Sequence, residues 1–143
     1  MTTEGEEIVE FNSAMTAFET KQFSTAAQLL TPFAEKGNAD AQHRCAIMFQ
    51  NGLGVAPNEA RALKYMTAAA EQGYAMAQHG LGFMYMEGEC VEANAEEAMK
   101  WFKKAAEQDM VGSMTTIAMM YEEGKGVEKD PELAKEWYAK AGF

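Results

Sequence analysis

The chain has 143 residues, 48% of them apolar, and 12 Lys and Arg against 22 Asp and Glu leave a net charge of -10. That apolar fraction excludes intrinsic disorder, and the acidic balance argues against nucleic-acid binding, which depends on cations displacing the counterions of phosphate. No run reaches the roughly 20 apolar residues of a membrane span, and two cysteines are too few for a disulfide framework. The N-terminal Met1-Thr2-Thr3-Glu4-Gly5-Glu6-Glu7 is acidic and lacks the basic segment and apolar core of a signal peptide. A reducing, cytoplasmic setting without membrane contact is the expectation.

Residues 7–38 read as a helix pair. Ala14, Ala17 and Phe18 mark the first helix; Phe23, Ala26, Leu30 and Phe33 mark the second, which Gly37 ends. Pro32 falls inside that second helix and predicts a bend or irregular turn. Beyond it the chain repeats. Residues 39–74 and 75–110 are identical at 14 of 36 positions, where unrelated sequences would share roughly two or three. A third copy starts at Val111 and keeps Gly124, Gly126, Val127, Asp130, Ala134, Trp137 and Ala141.

Each copy predicts two helices. Residues 75–87 place Ala77, Leu81, Gly82 and Tyr85 on one face and stop at Gly88, a residue suited to the left-handed helix end. Asn94 then caps the second helix, with Glu97 in the capping-box place. In the last copy Asp130-Pro131 opens that helix, with Pro where a missing N–H does no harm. Ala98, Trp101, Phe102, Ala105 and Ala106 form its buried face, with Tyr65, Trp101 and Trp137 as the recurring large filler. The fold expected is all-α: a right-handed α-solenoid of four stacked antiparallel helix pairs, since a lone pair cannot bury its apolar face.

The third pair reads Ala75-x-Ala77-Gln78-x-x-Leu81-Gly82-x-x-Tyr85-x-x-Gly88, then Val91, Asn94, Ala98, Trp101 and Ala105-Ala106-Glu107-Gln108. This pattern resembles the Sel-1-like repeat, a relative of the tetratricopeptide repeat. On that resemblance residues 1–143 form one repeat domain, with 7–38 a degenerate tetratricopeptide-like repeat and 39–74, 75–110 and 111–143 Sel-1-like repeats. The resemblance implies an adaptor or scaffold for protein–protein contacts, commonly bacterial in small proteins of this kind. Two departures stand out. Cys90 replaces the loop glycine found at Gly54 and Gly126, which predicts a rearranged or strained loop, and Asp109 replaces the helix-ending Gly73. Cysteine-rich secreted members of the family staple each hairpin with a disulfide. Here Cys45 lies in a helix and Cys90 in a loop, so both are expected as thiols, a bridge needing Cα atoms within about 7 Å.

Little in the sequence points to catalysis. The serines are Ser13, Ser24 and Ser113, none of them three residues before a lysine, so the motif of the β-lactamases described among cysteine-rich relatives is missing. No phosphate loop, His-Glu-x-x-His or Gly-x-Ser-x-Gly occurs. The Gly-x-Gly pairs at 52/54 and 124/126 read as turns. His43 and His79 occupy equivalent positions and, with only Asp40 nearby, read as imidazoles lining a face rather than metal ligands. No catalytic residue, metal or cofactor is assigned; a hydrolase like that claimed for cysteine-rich relatives remains the remote alternative.

The binding hypothesis comes from the side of each first helix that the core does not use. In tetratricopeptide-like stacks the first helices line the concave side. Counting outward from Leu81, Gly82 and Tyr85 gives Met76, His79, Phe83, Met86 and Glu87. The equivalent sets hold Ile8, Phe11, Met15 and Phe18, then Asp40, His43 and Ile47, then Thr115, Met119, Glu122 and Glu123. Read across, Met15, Ile47, Phe83 and Met119 make an apolar row with Phe11, Met76 and Met86 beside it, while Met48, Met84 and Met120 are assigned to the core. The row reads either as an accessible groove or as side chains tucked between hairpins by superhelical twist. As a groove it suits an apolar segment of another protein with basic flanks facing the glutamates. Self-assembly through Trp137, Tyr138 and Phe143, giving a homodimer, is the other alternative.

Overall fold

The computed structural model of the chain describes residues 3–143, and among them every regular element is an α-helix. The helices are α1 (Glu4–Glu19), α2 (Phe23–Glu35), α3 (Ala39–Asn51), α4 (Glu59–Glu71), α5 (Ala75–Glu87), α6 (Ala95–Ala106), α7 (Val111–Glu123) and α8 (Pro131–Lys140). They fall into two compact units, one ending at Gln72 and the other spanning Gly73–Phe143. In the first unit α1 pairs with α2 and α3 with α4, and α2 packs on α3; in the second α5 pairs with α6 and α7 with α8, and α6 packs on α7.

Local chemistry sets the helix ends, and it repeats every 36 residues. Asn58, Asn94 and Asp130 each accept a bond from a backbone N–H three residues on, at 3.0–3.1 Å, which satisfies donors that have no partner inside the helix. Gly52, Gly88 and Gly124 close the first helices with φ of 66°, 71° and 69°. The intervening loops close with the same bond, Asn58 to Phe49, Asn94 to Tyr85 and Asp130 to Tyr121, each 2.9 Å. The acidic N-terminal segment is part of α1: Thr3 and Glu6 form a reciprocal capping box, and Glu4, Glu6 and Glu7 complement the positive end of the helix dipole. The helix thus begins ahead of the expected residue 7.

Pro32 lies inside α2 as expected and leaves no irregular turn, the helix running on to Glu35. It sits exposed in the last turn, where its missing N–H costs one bond, and its carbonyl accepts from Lys36 at 3.1 Å. The Cys90 loop is not rearranged either. Cys90 has φ 64°, against 70° at Gly54 and 73° at Gly126, and Glu89 N–H bonds the Met84 carbonyl at 3.0 Å as its counterparts do. The strain therefore stays in the residue, at about 1–2 kcal/mol for a side chain in the left-handed region. Cys90→Gly releases it, offset by the greater freedom of glycine in the unfolded chain. The urea midpoint of Cys90→Gly is expected to rise, by up to about 1 kcal/mol of stability; a fall would contradict the strain.

Glutamine couples, one member exposed and the other buried, tie the helices together. Gln72 Nε2 donates to Gly37 O at 2.9 Å and to Gln42 Oε1 at 2.8 Å, while Gln42 Nε2 donates to Ala34 O at 3.1 Å. In the second unit Gln108 Nε2 bonds Gly73 O at 2.8 Å and Gln78 Oε1 at 2.9 Å. The Ala-Gln and Glu-Gln of the repeats at 39–74 and 75–110 are thus one hydrogen-bonded device, which the last repeat, with Ser113-Met114 at the Ala-Gln place, lacks. Met48, Met84 and Met120 are each 1% exposed, as expected of core. Phe102 is fully buried over Gly82, where a Cβ would lie 2.7 Å from its ring.

Candidate functional site

In the second unit α5 and α7 carry Phe83 and Met119 at equivalent places, 36% and 44% exposed. Phe83 stands edge-on to Phe102 (centroids 5.1 Å) and to His79 (4.9 Å), so its base is held while one side faces solvent. His79 Nδ1 lies 2.7 Å from Ser113 Oγ, a hydrogen bond from α5 to α7 made next to Gly112, the small residue beside the ring. Ser113 is fully buried, so its hydroxyl holds the ring and cannot meet a substrate.

Between the two helices lies a cleft of about 240 Å³. Phe83, Met86 and Met119 line it, with Met120 and Thr116 also on its walls. Glu87, Glu123 and Lys125 are its charged groups, and Lys125 Nζ reaches Glu87 Oε1 at 3.5 Å. Sequence reasoning missed Lys125, which lies in the loop after α7; the shared position of Gly88 and Gly124 was the signal that this loop follows directly on the Glu122-Glu123 helix end. Met76, 53% exposed, stands at the start of α5, and Thr115 spends its hydroxyl on Val111 O at 3.0 Å.

The first unit treats the corresponding residues differently. Phe18 lies against Phe23 at 5.6 Å, and the Arg44 guanidinium sits 4.8 Å from its centroid. Arg44 is held there by Asp40 at 2.9 Å and Glu19 at 4.0 Å. Phe11 packs on Phe33 at 5.2 Å, and Met15 and Ile47 are half-buried. His43, expected to line the face, is 7% exposed: α3 packs on both α2 and α4, and position 43 falls within the covered arc. Open apolar side chains thus stand on α5 and α7 (Met76, Phe83, Val111 and Met119) and also on α1, where Ile8 and Val9 are exposed, while Phe11 and Phe18 are half-buried against neighbouring rings and His43 is buried.

Burial pushes the His43 imidazole down to about 4, with Asp40 opposing and Arg44 assisting; burial also lowers His79. The folded state therefore prefers both rings neutral, and their contribution is complete above the ordinary value of about 6.5. As pH falls from there toward 4 the unfolded chain takes up protons that the folded chain refuses, so stability drops. For His43 the loss is at most on the order of 3 kcal/mol. His43→Gln is expected to flatten the fall in urea midpoint between neutral and mildly acidic pH; an unchanged slope would contradict it. Cys45 is fully buried and its thiol is pushed up to about 11, mainly by burial. Both cysteines are thiols. Among the described residues no three His, Cys, Asp or Glu side chains gather as metal ligands, and no helix is long and apolar enough to cross a membrane.

At the far end of the second unit Trp137 is half-buried with Lys140 Nζ 4.2 Å from its ring centroid, Tyr138 is half-buried, and Phe143 is 82% exposed, 6.1 Å from Tyr138. Relative to α6, α8 places Lys135 where Met99 is buried and Tyr138 where Phe102 is buried.

The Sel1 repeat family matches residues 39–74, 75–110 and 112–142. No curated protein matches the sequence significantly. Among solved structures, a protective antigen of uropathogenic Escherichia coli strains displaying an SLR fold is 30% identical, with a TM-score of 0.89 over 96% of this chain and 30% of that one. A Sel1 repeat protein from Oxalobacter formigenes is 32% identical, with a TM-score of 0.82 over 90% of this chain and 53% of that one. The chain thus spans about a third and about half of those two structures. Helicobacter pylori cysteine rich protein B, 18% identical with a TM-score of 0.66 over 82% of this chain and 87% of that one, shares the fold. The fold is an α-solenoid of helix pairs, and with three matched repeats the chain belongs to the Sel1 repeat family.

Proposed function

We propose that the chain is a non-catalytic interaction module and that the α5–α7 cleft takes an apolar segment of another protein. The observation that carries this reading is the pair Phe83 and Met119, large apolar side chains left open at equivalent repeat positions around one cleft. Folding gains nothing from such exposure, and contiguous apolar surface marks interaction sites. Methionine walls suit the task because a flexible, polarisable side chain repacks around its ligand. Family membership supports the class of function, a protein-interaction scaffold, and names no partner. Self-association through Trp137, Tyr138 and Phe143 is the less favoured reading: Lys135 and Tyr138 bring polar groups where the preceding pair carries Met99 and Phe102.

The test is capture from an extract of the organism that encodes the chain, with the wild type and Met119→Glu immobilised side by side. Met119 is exposed, so the substitution leaves folding nearly intact. The reading expects a protein retained by the wild type and lost with Met119→Glu. Equal retention would move the partner surface away from α7.

A further inference from the structure

The size and the charges of the cleft say more about what it accepts. At about 240 Å³ it falls below the roughly 300–1,000 Å³ of sites for drug-sized ligands, and it suits one large side chain. Phe83, Met86 and Met119 offer that side chain an aromatic edge and two adaptable thioethers. The rim is unevenly charged. Lys125 is matched by Glu87 at 3.5 Å, whereas Glu123, on the same cleft, has no ion pair among the described residues, and the neighbouring Glu122 is exposed. A carboxylate beside an apolar wall favours a cation from the incoming chain and repels an acid. At an exposed rim such a pair sets partner choice and association rate more than affinity. The overall charge of -10 steers in the same direction.

We infer that the segment received by the α5–α7 cleft presents one large apolar side chain with an Arg or Lys next to it, the apolar group entering between Phe83 and Met119 and the cation pairing with Glu123. This rests on the reading of the cleft as a protein-binding site. An acidic segment of the same apolar content is excluded by it, as is a partner that binds through charge alone.

Two short fluorescein-labelled peptides on a Gly-Ser background test this, one with a central Leu-Arg and one with a central Leu-Glu. Their binding is followed by anisotropy against the wild type, Phe83→Ala and Glu123→Lys, at low and high salt. The wild type is expected to hold the Leu-Arg peptide several-fold tighter, with a margin that shrinks as salt screens the rim. Glu123→Lys is expected to reverse the order, and Phe83→Ala to weaken both peptides. If the wild type takes both peptides equally and Glu123→Lys changes nothing, while Phe83→Ala still weakens both, the charge rule is overturned and the cleft stands as an apolar site. If neither peptide binds, or Phe83→Ala has no effect, the cleft reading itself falls and the charge rule with it.

Discussion

Replacing Phe102 by Ala is expected to cost about 3–5 kcal/mol, the range for removing a large aromatic side chain from a core. Phe102 has no exposed surface and fills the space left by the missing side chain of Gly82. It packs with Ala98, Met114, Ile117 and Met120, and His79 and Phe83 stand edge-on to it. With Gly82 and Ala98 on its walls, the site has little side chain of its own to fill the space the ring leaves. Against a typical total of about 5–15 kcal/mol, a loss of this size removes a large share of stability. The check is a urea titration in which the midpoint falls and the slope stays unchanged. A loss below about 1 kcal/mol would mean the core closes over the gap. Gly82→Ala strains the same contact from the other side, at about 1–3 kcal/mol, because its Cβ would lie 2.7 Å from the ring.

Phe83→Glu has its largest effect on binding. It puts a carboxylate on the wall of the apolar cleft, where a ligand side chain would have to desolvate it. Capture of the partner is expected to weaken by at least about tenfold, equivalent to about 1.4 kcal/mol. Folding does not escape entirely: the ring is 36% exposed, and its edge contacts with His79 and Phe102 are lost. The expected cost is about 1–2 kcal/mol and a melting temperature lower by several degrees. Phe83→Leu keeps an apolar wall and is expected to retain both fold and capture. A folded Phe83→Glu protein that captures as well as the wild type would contradict the assignment, and outright unfolding would make Phe83 a core residue.

The repeat made much of the fold legible, because its signals are local. Asn58, Asn94 and Asp130 cap helices through their own neighbours, and Gly52, Gly88 and Gly124 adopt the left-handed conformation wherever the chain must turn. The Thr3-Glu6 capping box is equally local, a Thr-x-x-Glu at a helix start within the acidic N-terminal segment. What the period could not convey is how far one copy differs from the next in its surroundings. His43 and His79 share a repeat position, yet His43 is 7% exposed and His79 is half-buried against Phe83 and Ser113. Phe18 is closed off by Arg44, a residue from another helix whose reach no helical wheel of α1 contains. Lys125 enters the cleft rim from a loop that a list of helix faces omits.

The central claim, that the open face of α5 and α7 is where a partner docks, is tested most directly by site-specific photocrosslinking. A benzophenone amino acid is placed at position 119 in one preparation and, as a control, at position 132, an exposed site on α8. Each is irradiated in an extract of the encoding organism. The account predicts one adduct from position 119, suppressed by excess unlabelled wild type and untouched by excess Phe83→Glu, with none from position 132. An adduct from position 132 without one from position 119, or competition by Phe83→Glu as strong as by the wild type, would contradict it.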